Sequence, residues 1–329
     1  MALNRLVWNV PFSHLAHHRG IRRASTIVGE SGRVYVQGEV LQRHREDHNL
    51  SIYKAESENK SFVVKRMHRT LYDLSLDLAE EFRGSRWLRM HIDCNHEGGI
   101  LIYPHYKSAL LSLIQNNPDF SLLQRCKMLR NVAEAIEELH SKSWIHNDLK
   151  PDNILLNWTC DNEGNETVTD VALGHFDLAF QLQDGLALQT RSAIGNVMWR
   201  SPEGHTARGL TKASDIFSFG LVCIYTLGGG SFLLLDNYQE LVKHGMMPEQ
   251  VILRLLLRVG EEKWCRALKS ASRAAEQVVN EDPGRRFTEW GAGLGPEVQN
   301  MIFGMTNLDP TARTTINQVL SHPLWQEIN

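Results

Sequence analysis

Acidic residues are missing from the first 29 positions, C-x-x-C pairs are missing throughout, and no apolar run is long enough to span a bilayer. Each absence excludes something. The five cysteines, Cys94, Cys126, Cys160, Cys223 and Cys265, are odd in number and widely scattered. That spacing argues against a disulfide framework or a cysteine zinc site and favours a reducing intracellular, most simply cytoplasmic, setting. The apolar stretch Phe219 to Leu235 is broken by Thr226, by the glycines at 228 to 230 and by Ser231, so no membrane span is expected. A net charge of −3 and a pI near 6.6 leave no global excess of positive charge for nucleic acid or an anionic membrane. What remains is a chain of 329 residues, 42% hydrophobic and 22% charged, long enough for two lobes.

The acid-free start carries Arg5, Arg19, Arg22, Arg23 and three histidines. Residues 1–32 are expected as a basic flexible arm, because Pro11 and the His/Arg cluster interrupt a long amphipathic helix; a mitochondrial-type presequence is the competing reading. From Arg33 the pattern turns to period two. R-V-Y-V-Q-G-E-V-L, Leu50 to Ala55 and Ser61 to Met67 read as three antiparallel strands. The third carries one long cation, Lys65, out of an apolar strand. A helix over roughly Leu74 to His91 offers Glu80 and Glu81 as its partner, of which Glu81 is preferred. Gly98 to Ala109 reads as a further strand and a linker, and Leu122 to His140 as an amphipathic helix. Asn157 to Asp170, rich in Asp, Asn, Glu, Gly and Thr, reads as a surface loop, and Asp236 to Pro296 as helical.

The most informative stretch is Trp144 to Leu156, W-I-H-N-D-L-K-P-D-N-I-L-L, a polar cassette between apolar flanks. A strand at Ile154 to Leu156 and a helix at Leu129 to Leu139 would pin this loop so that Asp148, Lys150 and Asn153 face one cavity. An ordinary capped turn uses the same residue types, but not this ordered octet. The cassette resembles the protein kinase catalytic loop H-R-D-L-K-P-x-N, with Asn147 in the arginine place. Further segments resemble the same family in order: F-V-V-K around Lys65, V-A-L-G-H-F-D-L-A from Val171, G-N-V-M-W-R-S-P-E from Gly195, A-S-D-I-F-S-F-G-L-V around Asp215, D-P-T-A-R around Arg313, and the ending L-S-H-P-L-W. Small-molecule kinases share the lysine and the aspartates, but not the S-P-E segment or the D-I-F-S-F-G helix.

The resemblance implies an α+β, bilobal protein kinase fold of serine/threonine type, most like small divergent fungal kinases. It implies an N-lobe of antiparallel sheet and one helix over residues 33–104, and a larger, mainly helical C-lobe over 105–329. Asp148 and Lys150 would be catalytic. Lys65, Glu81, Ile52, Val63 and Leu155 would bind ATP, with backbone groups of the linker at the adenine edge and Ile102 or Tyr103 guarding the pocket. Asn153 would hold Mg2+. Glu203, Asp215 and Arg313 would be structural, the first and last as a buried ion pair. A protein substrate or a protein partner is implied.

The chain departs from the family pattern at four places. The glycine-rich hairpin should be Arg43 to Asn49, yet Arg45, Asp47 and Leu50 fill the glycine positions; Gly29-x-x-Gly32-x-Val34 is the partial alternative. His175 replaces the metal-binding aspartate, and Asp177 the glycine after it. In a second register Asp177 would itself reach the metal, at the expense of the packing position of Phe176. Asn196 replaces the threonine that contacts the catalytic aspartate. Asn147 removes the arginine that would answer phosphorylation of Thr190 or Ser192. Magnesium needs hard oxygen ligands and imidazole is a poor substitute, so impaired catalysis or a pseudokinase is expected. The alternative is an active serine/threonine protein kinase that transfers the γ-phosphate to protein hydroxyls.

Overall fold

Period-two alternation builds the first lobe of the computed structural model, which describes residues 25–44, 46–183, 186–207, 209–228 and 295–325. Strands β1 (Thr26–Val28), β2 (Val34–Gln42), β3 (Ile52–Ser57), β4 (Lys60–Arg66), β5 (Asp93–Asn95) and β6 (Ile100–Pro104) form one antiparallel sheet in the order β1-β2-β3-β4-β6-β5. The Glu30 amide donates to the Cys94 carbonyl at 2.7 Å, so the curled sheet brings its first and last strands together. One face buries Tyr35, Ala55, Phe62, Val64, Ile100 and Ile102. On the other face Ile52 lies opposite Lys65, and Val63 opposite Tyr103; this face looks into the cleft.

Helix α1 runs from Arg69 to Glu81, starting earlier and ending sooner than the periodicity suggests. Gly84 takes φ +80°, and the Ser85 hydroxyl accepts from the amides of Trp87 and Leu88 at 3.3 and 3.0 Å. This turn chemistry ends the helix, because a hydroxyl offers the backbone an alternative to i→i−4 bonding.

The second lobe contains β7 (Ser108–Ala109), α2 (Leu110–Asn116), α3 (Leu122–Ser141), β8 (Trp144–Ile145), β9 (Ile154–Cys160), β10 (Glu166–Leu173), β11 (Phe180–Gln181), α4 (Pro202–Thr206), α5 (Lys212–Leu227), α6 (Pro296–Met305) and α7 (Ile316–Leu320). Helix α5 is buried all round from Ser214 to Leu227 and starts with a capping box between Thr211 and Ser214. With α3 and α6 it forms the main core.

The expected bilobal α+β architecture is present, with corrections to its details. Asn157 to Asp170 is largely the β9–β10 hairpin rather than a loop. Its turn is held by Asp161, whose Oδ1 accepts from the amides of Glu163 and Asn165 at 2.9 and 2.8 Å. Thr26–Val28 is a strand although residues 1–32 were expected as an arm. Residues 1–24 of that arm, Cys265 and the helical expectation for positions 236–294 lie outside the described residues. No described helix is long and apolar enough to cross a membrane.

Candidate active site

The cassette forms the loop between β8 and β9, and it is held by its backbone. Asp215, 1% exposed on α5, accepts from the amides of His146 at 2.7 Å and Asn147 at 2.9 Å, and also bonds His140 Nε2 at 3.1 Å. His146 is buried, and the Asp148 amide donates to its Nδ1 at 3.2 Å. The proton therefore belongs on Nε2, which donates to the Gly174 carbonyl at 3.1 Å. Burial pushes the pKa of His146 down, which keeps the ring neutral.

Asp148, Lys150 and Asn153 converge as their spacing suggests. Asp148 Oδ1 accepts from the Asn196 amide at 3.0 Å. Its Oδ2 accepts from Asn153 Nδ2 at 3.0 Å and lies 3.1 Å from Lys150 Nζ. Asn153 Nδ2 also reaches the Asp148 carbonyl at 2.8 Å. These bonds orient the carboxylate before any ligand arrives. The contact expected of a threonine at position 196 is made by the backbone, so the asparagine there does not remove it.

Opposite this loop, Leu173 ends β10 and His175 takes a left-handed backbone, φ +69°. Phe176 stays buried, edge-on to His146 at 5.2 Å between ring centroids. Asp177 nevertheless turns back into the cleft, where both its oxygens lie 2.9 Å from Lys65 Nζ. The two registers are therefore not exclusive: Phe176 keeps its packing position and Asp177 supplies the carboxylate. Lys65 and His175 lower the Asp177 pKa against the opposing effect of burial. His175 Nε2 lies 3.8 Å from Asp177 Oδ2. The His175 side chain is 43% exposed and offers a metal no hard oxygen.

Glu81 does not pair with Lys65. As the last residue of α1 it points to the other lobe, where its carboxylate accepts from Trp144 Nε1 at 2.7 Å and its carbonyl from Lys142. Glu80 pairs with Arg83 at the surface. Of the two guard candidates, Ile102 belongs to the opposite face of the sheet, so Tyr103 is the one that faces the cleft. No glycine lies between β2 and β3; a short 3-10 turn, His48–Leu50, is capped there by Asp47. Gly29 and Gly32 form the β1–β2 turn against Asp93, whose carboxylate a Cβ on Gly29 would strike, so they cannot cover the cleft.

One residue of the cleft escaped the sequence reading. Arg89 sends Nε and Nη2 to the Pro104 carbonyl at 3.1 and 2.6 Å, and its guanidinium lies 5.0 Å from the Tyr103 ring centroid and 5.8 Å from that of Tyr106. Burial lowers its pKa to about 10. Its only signal was a lone cation inside W-L-R-M.

The groups that the implied ATP and Mg2+ would use are already engaged within the chain. The linker carbonyl is taken by Arg89, both Asp177 oxygens by Lys65, and the remaining side chain at the metal position is an imidazole. Asn153, whose nitrogen is committed to Asp148, keeps its amide oxygen as a hard donor.

Away from the cleft, Arg313 Nη1 and Nη2 meet Glu203 Oε1 and Oε2 at 2.6 and 3.3 Å, and the Ser214 hydroxyl donates to Oε1 at 2.9 Å. The two expected structural partners thus join α4 to the segment before α7.

Comparison with known proteins gives a protein kinase domain model over residues 92–325. The serine/threonine-protein kinase/endoribonuclease ireA of Aspergillus fumigatus is 24% identical, over 89% of this chain and 28% of its own length. The sensor for unfolded proteins in the ER ire1 of Schizosaccharomyces pombe is 25% identical, over 84% of this chain and 26% of its own. The probable serine/threonine-protein kinase pXi of Dictyostelium discoideum is 24% identical, over 78% and 35%. The chain thus spans about a quarter to a third of the length of these relatives.

Proposed function

This chain belongs to the protein kinase family, and on that premise we propose that it is a kinase domain strongly impaired in phosphoryl transfer, acting as a module that binds a protein partner. The observation that carries this reading is the state of the metal side of the cleft. Phosphoryl transfer depends on charge neutralisation by metal ions held on oxygen ligands, and here an imidazole stands where the family pattern has the metal-binding carboxylate, while the nearest carboxylate, Asp177, is paired with Lys65. An oriented Asp148 supplies positioning, which cannot replace that electrostatic stabilisation.

A second reading rests on Asp177. Its carboxylate reaches the lysine expected to hold nucleotide phosphates, so an active serine/threonine kinase could use it in place of the residue at 175. In that case Asp148 positions a protein hydroxyl and Lys150 steadies the transferred group.

Transfer of radiolabelled phosphate from ATP to a generic protein substrate and to the chain itself, with magnesium and then manganese, separates the two. The impaired reading expects no signal above that of Asp148→Ala, and a gain of signal in His175→Asp. Transfer by the natural sequence that disappears in both Asp148→Ala and Asp177→Ala establishes the second reading instead.

A further inference from the structure

The base end of the cleft has an occupant from the chain itself. Pro104 has no amide hydrogen, so its carbonyl is its single polar backbone group, and Arg89 donates two hydrogen bonds to that oxygen. A carbonyl has two lone pairs, and both are directed at one guanidinium. The Arg89 stem leads there from the cleft floor. A Cβ built on Gly174 would sit 3.4 Å from Arg89 Cβ and Cδ and 3.5 Å from Leu155 Cδ1, so the stem and Leu155, the residue expected under the base, both border Gly174. Above it the guanidinium lies against Tyr103 and Tyr106. The Arg89 backbone is fixed, its amide donating to the Leu173 carbonyl at 2.7 Å, so the freedom is in the side chain.

We infer that Arg89 is an internal gate of the nucleotide cleft: its guanidinium occupies the linker carbonyl, its stem shares the wall at Gly174 with Leu155, and a purine base enters only after the side chain has swung out. The inference rests on reading this cleft as the nucleotide site of a kinase domain, but not on whether that domain transfers phosphate.

The energetics suit a displaceable gate rather than a structural bond. A cation withdrawn from water is normally stabilised by a carboxylate, yet the contacts of the half-buried Arg89 are a carbonyl and two neutral rings, and desolvation lowers its pKa. Desolvation therefore opposes the closed arrangement while the hydrogen bonds and rings favour it. If the open form is a tenth of the population or less, apparent base affinity falls by tenfold or more, because the measured Kd is the intrinsic one divided by the competent fraction.

Adenosine is the probe, since it reads the base end without phosphate or metal, and inorganic tripolyphosphate reads the other end. Binding to the full chain is followed by calorimetry and thermal shift for the natural sequence, for Arg89→Leu and for Arg89→Met, which keeps the stem length and guards against a folding defect in the leucine variant. The gate predicts adenosine at least tenfold tighter in both variants, with tripolyphosphate affinity changed less than twofold. Equal adenosine affinity in all three proteins overturns the gate and leaves the cleft reading standing. No adenosine binding by folded variants overturns both, and an equal rise for tripolyphosphate would mean a general change in the cleft and also refute the gate.

Discussion

Replacing Glu203 with alanine tests whether the second lobe is fastened as described. The Arg313 side chain is 0% exposed and Glu203 is 8% exposed. Removing the carboxylate leaves a fully buried guanidinium with two carbonyl acceptors, Asn307 at 2.8 Å and Ala213 at 2.6 Å, and the Phe217 ring 5.0 Å away, with the solvent-facing Asp309 carboxylate as the remaining opposite charge. The Ser214 hydroxyl loses its acceptor as well. Breaking a buried pair from one side costs about 3–5 kcal/mol; the surviving carbonyls and the ring place the expectation near the lower end. At about 2–4 °C per kcal/mol for a domain of this size, thermal unfolding followed by circular dichroism should show a fall of roughly 6–12 °C. The companion Arg313→Met removes the stranded charge. Glu203→Ala/Arg313→Met should therefore be less destabilised than the sum of the single changes, by about 2 kcal/mol or more. A single-variant shift under about 2 °C, or strict additivity in the cycle, would refute the argument that this pair is a buried and mutually dependent unit.

Two further outcomes follow from the same geometry. Asn147 spends its amide on the Leu178 carbonyl at 3.0 Å instead of presenting a cation, so Thr190→Glu or Ser192→Glu should change adenosine or ATP affinity by less than about twofold, in the absence of an Arg-phosphate pair; a tenfold change in a titration would contradict this. His205 accepts from Arg200 Nε on Nδ1 at 3.1 Å, and burial holds its pKa down to about 3. The unfolded chain, with an ordinary value near 6.5, takes up a proton that the native state refuses. Stability is therefore complete above about pH 6.5 and falls toward acid by about 1.4 kcal/mol per pH unit from this group. Urea midpoints at pH 7 and pH 5 should lie closer together in His205→Gln than in the natural sequence; an unchanged separation would sink the assignment.

The parts legible in the sequence were those written in consecutive residues. The loop from His146 to Asn153 works through neighbours a few positions apart, so local spacing pointed to it, and the helix around Asp215 was expected from its resemblance to the family's segment. The Lys65 partner was misread because the end of α1 is set by Gly84 and Ser85, and because Trp144, from the other lobe, captures Glu81. Asp177 was ranked behind His175 on the assumption that moving a carboxylate inward must displace Phe176; a positive φ at His175, which sequence does not announce, permits both. Arg89 takes its meaning from a carbonyl fifteen residues on, across a turn and a strand pair. No periodicity carries such a contact.

These errors fall on the ligand-facing groups, and the reason is physical. Asp215, the Glu203–Arg313 pair and the His146–Phe176 contact act on backbone and core, where one arrangement is overdetermined by burial. The cleft instead holds charges able to choose partners. Here Arg89 has chosen Pro104 and Lys65 has chosen Asp177, so two of the groups a nucleotide would engage are satisfied from within. A ligand must replace those bonds rather than fill empty valences, and its net gain is the difference between the two sets. On the proposed readings, weak nucleotide binding and poor transfer would be separate consequences of separate pairs. Arg89→Met should restore the first without the second, and His175→Asp should act on transfer without changing adenosine affinity, so the two variants divide the cleft into its base end and its metal end.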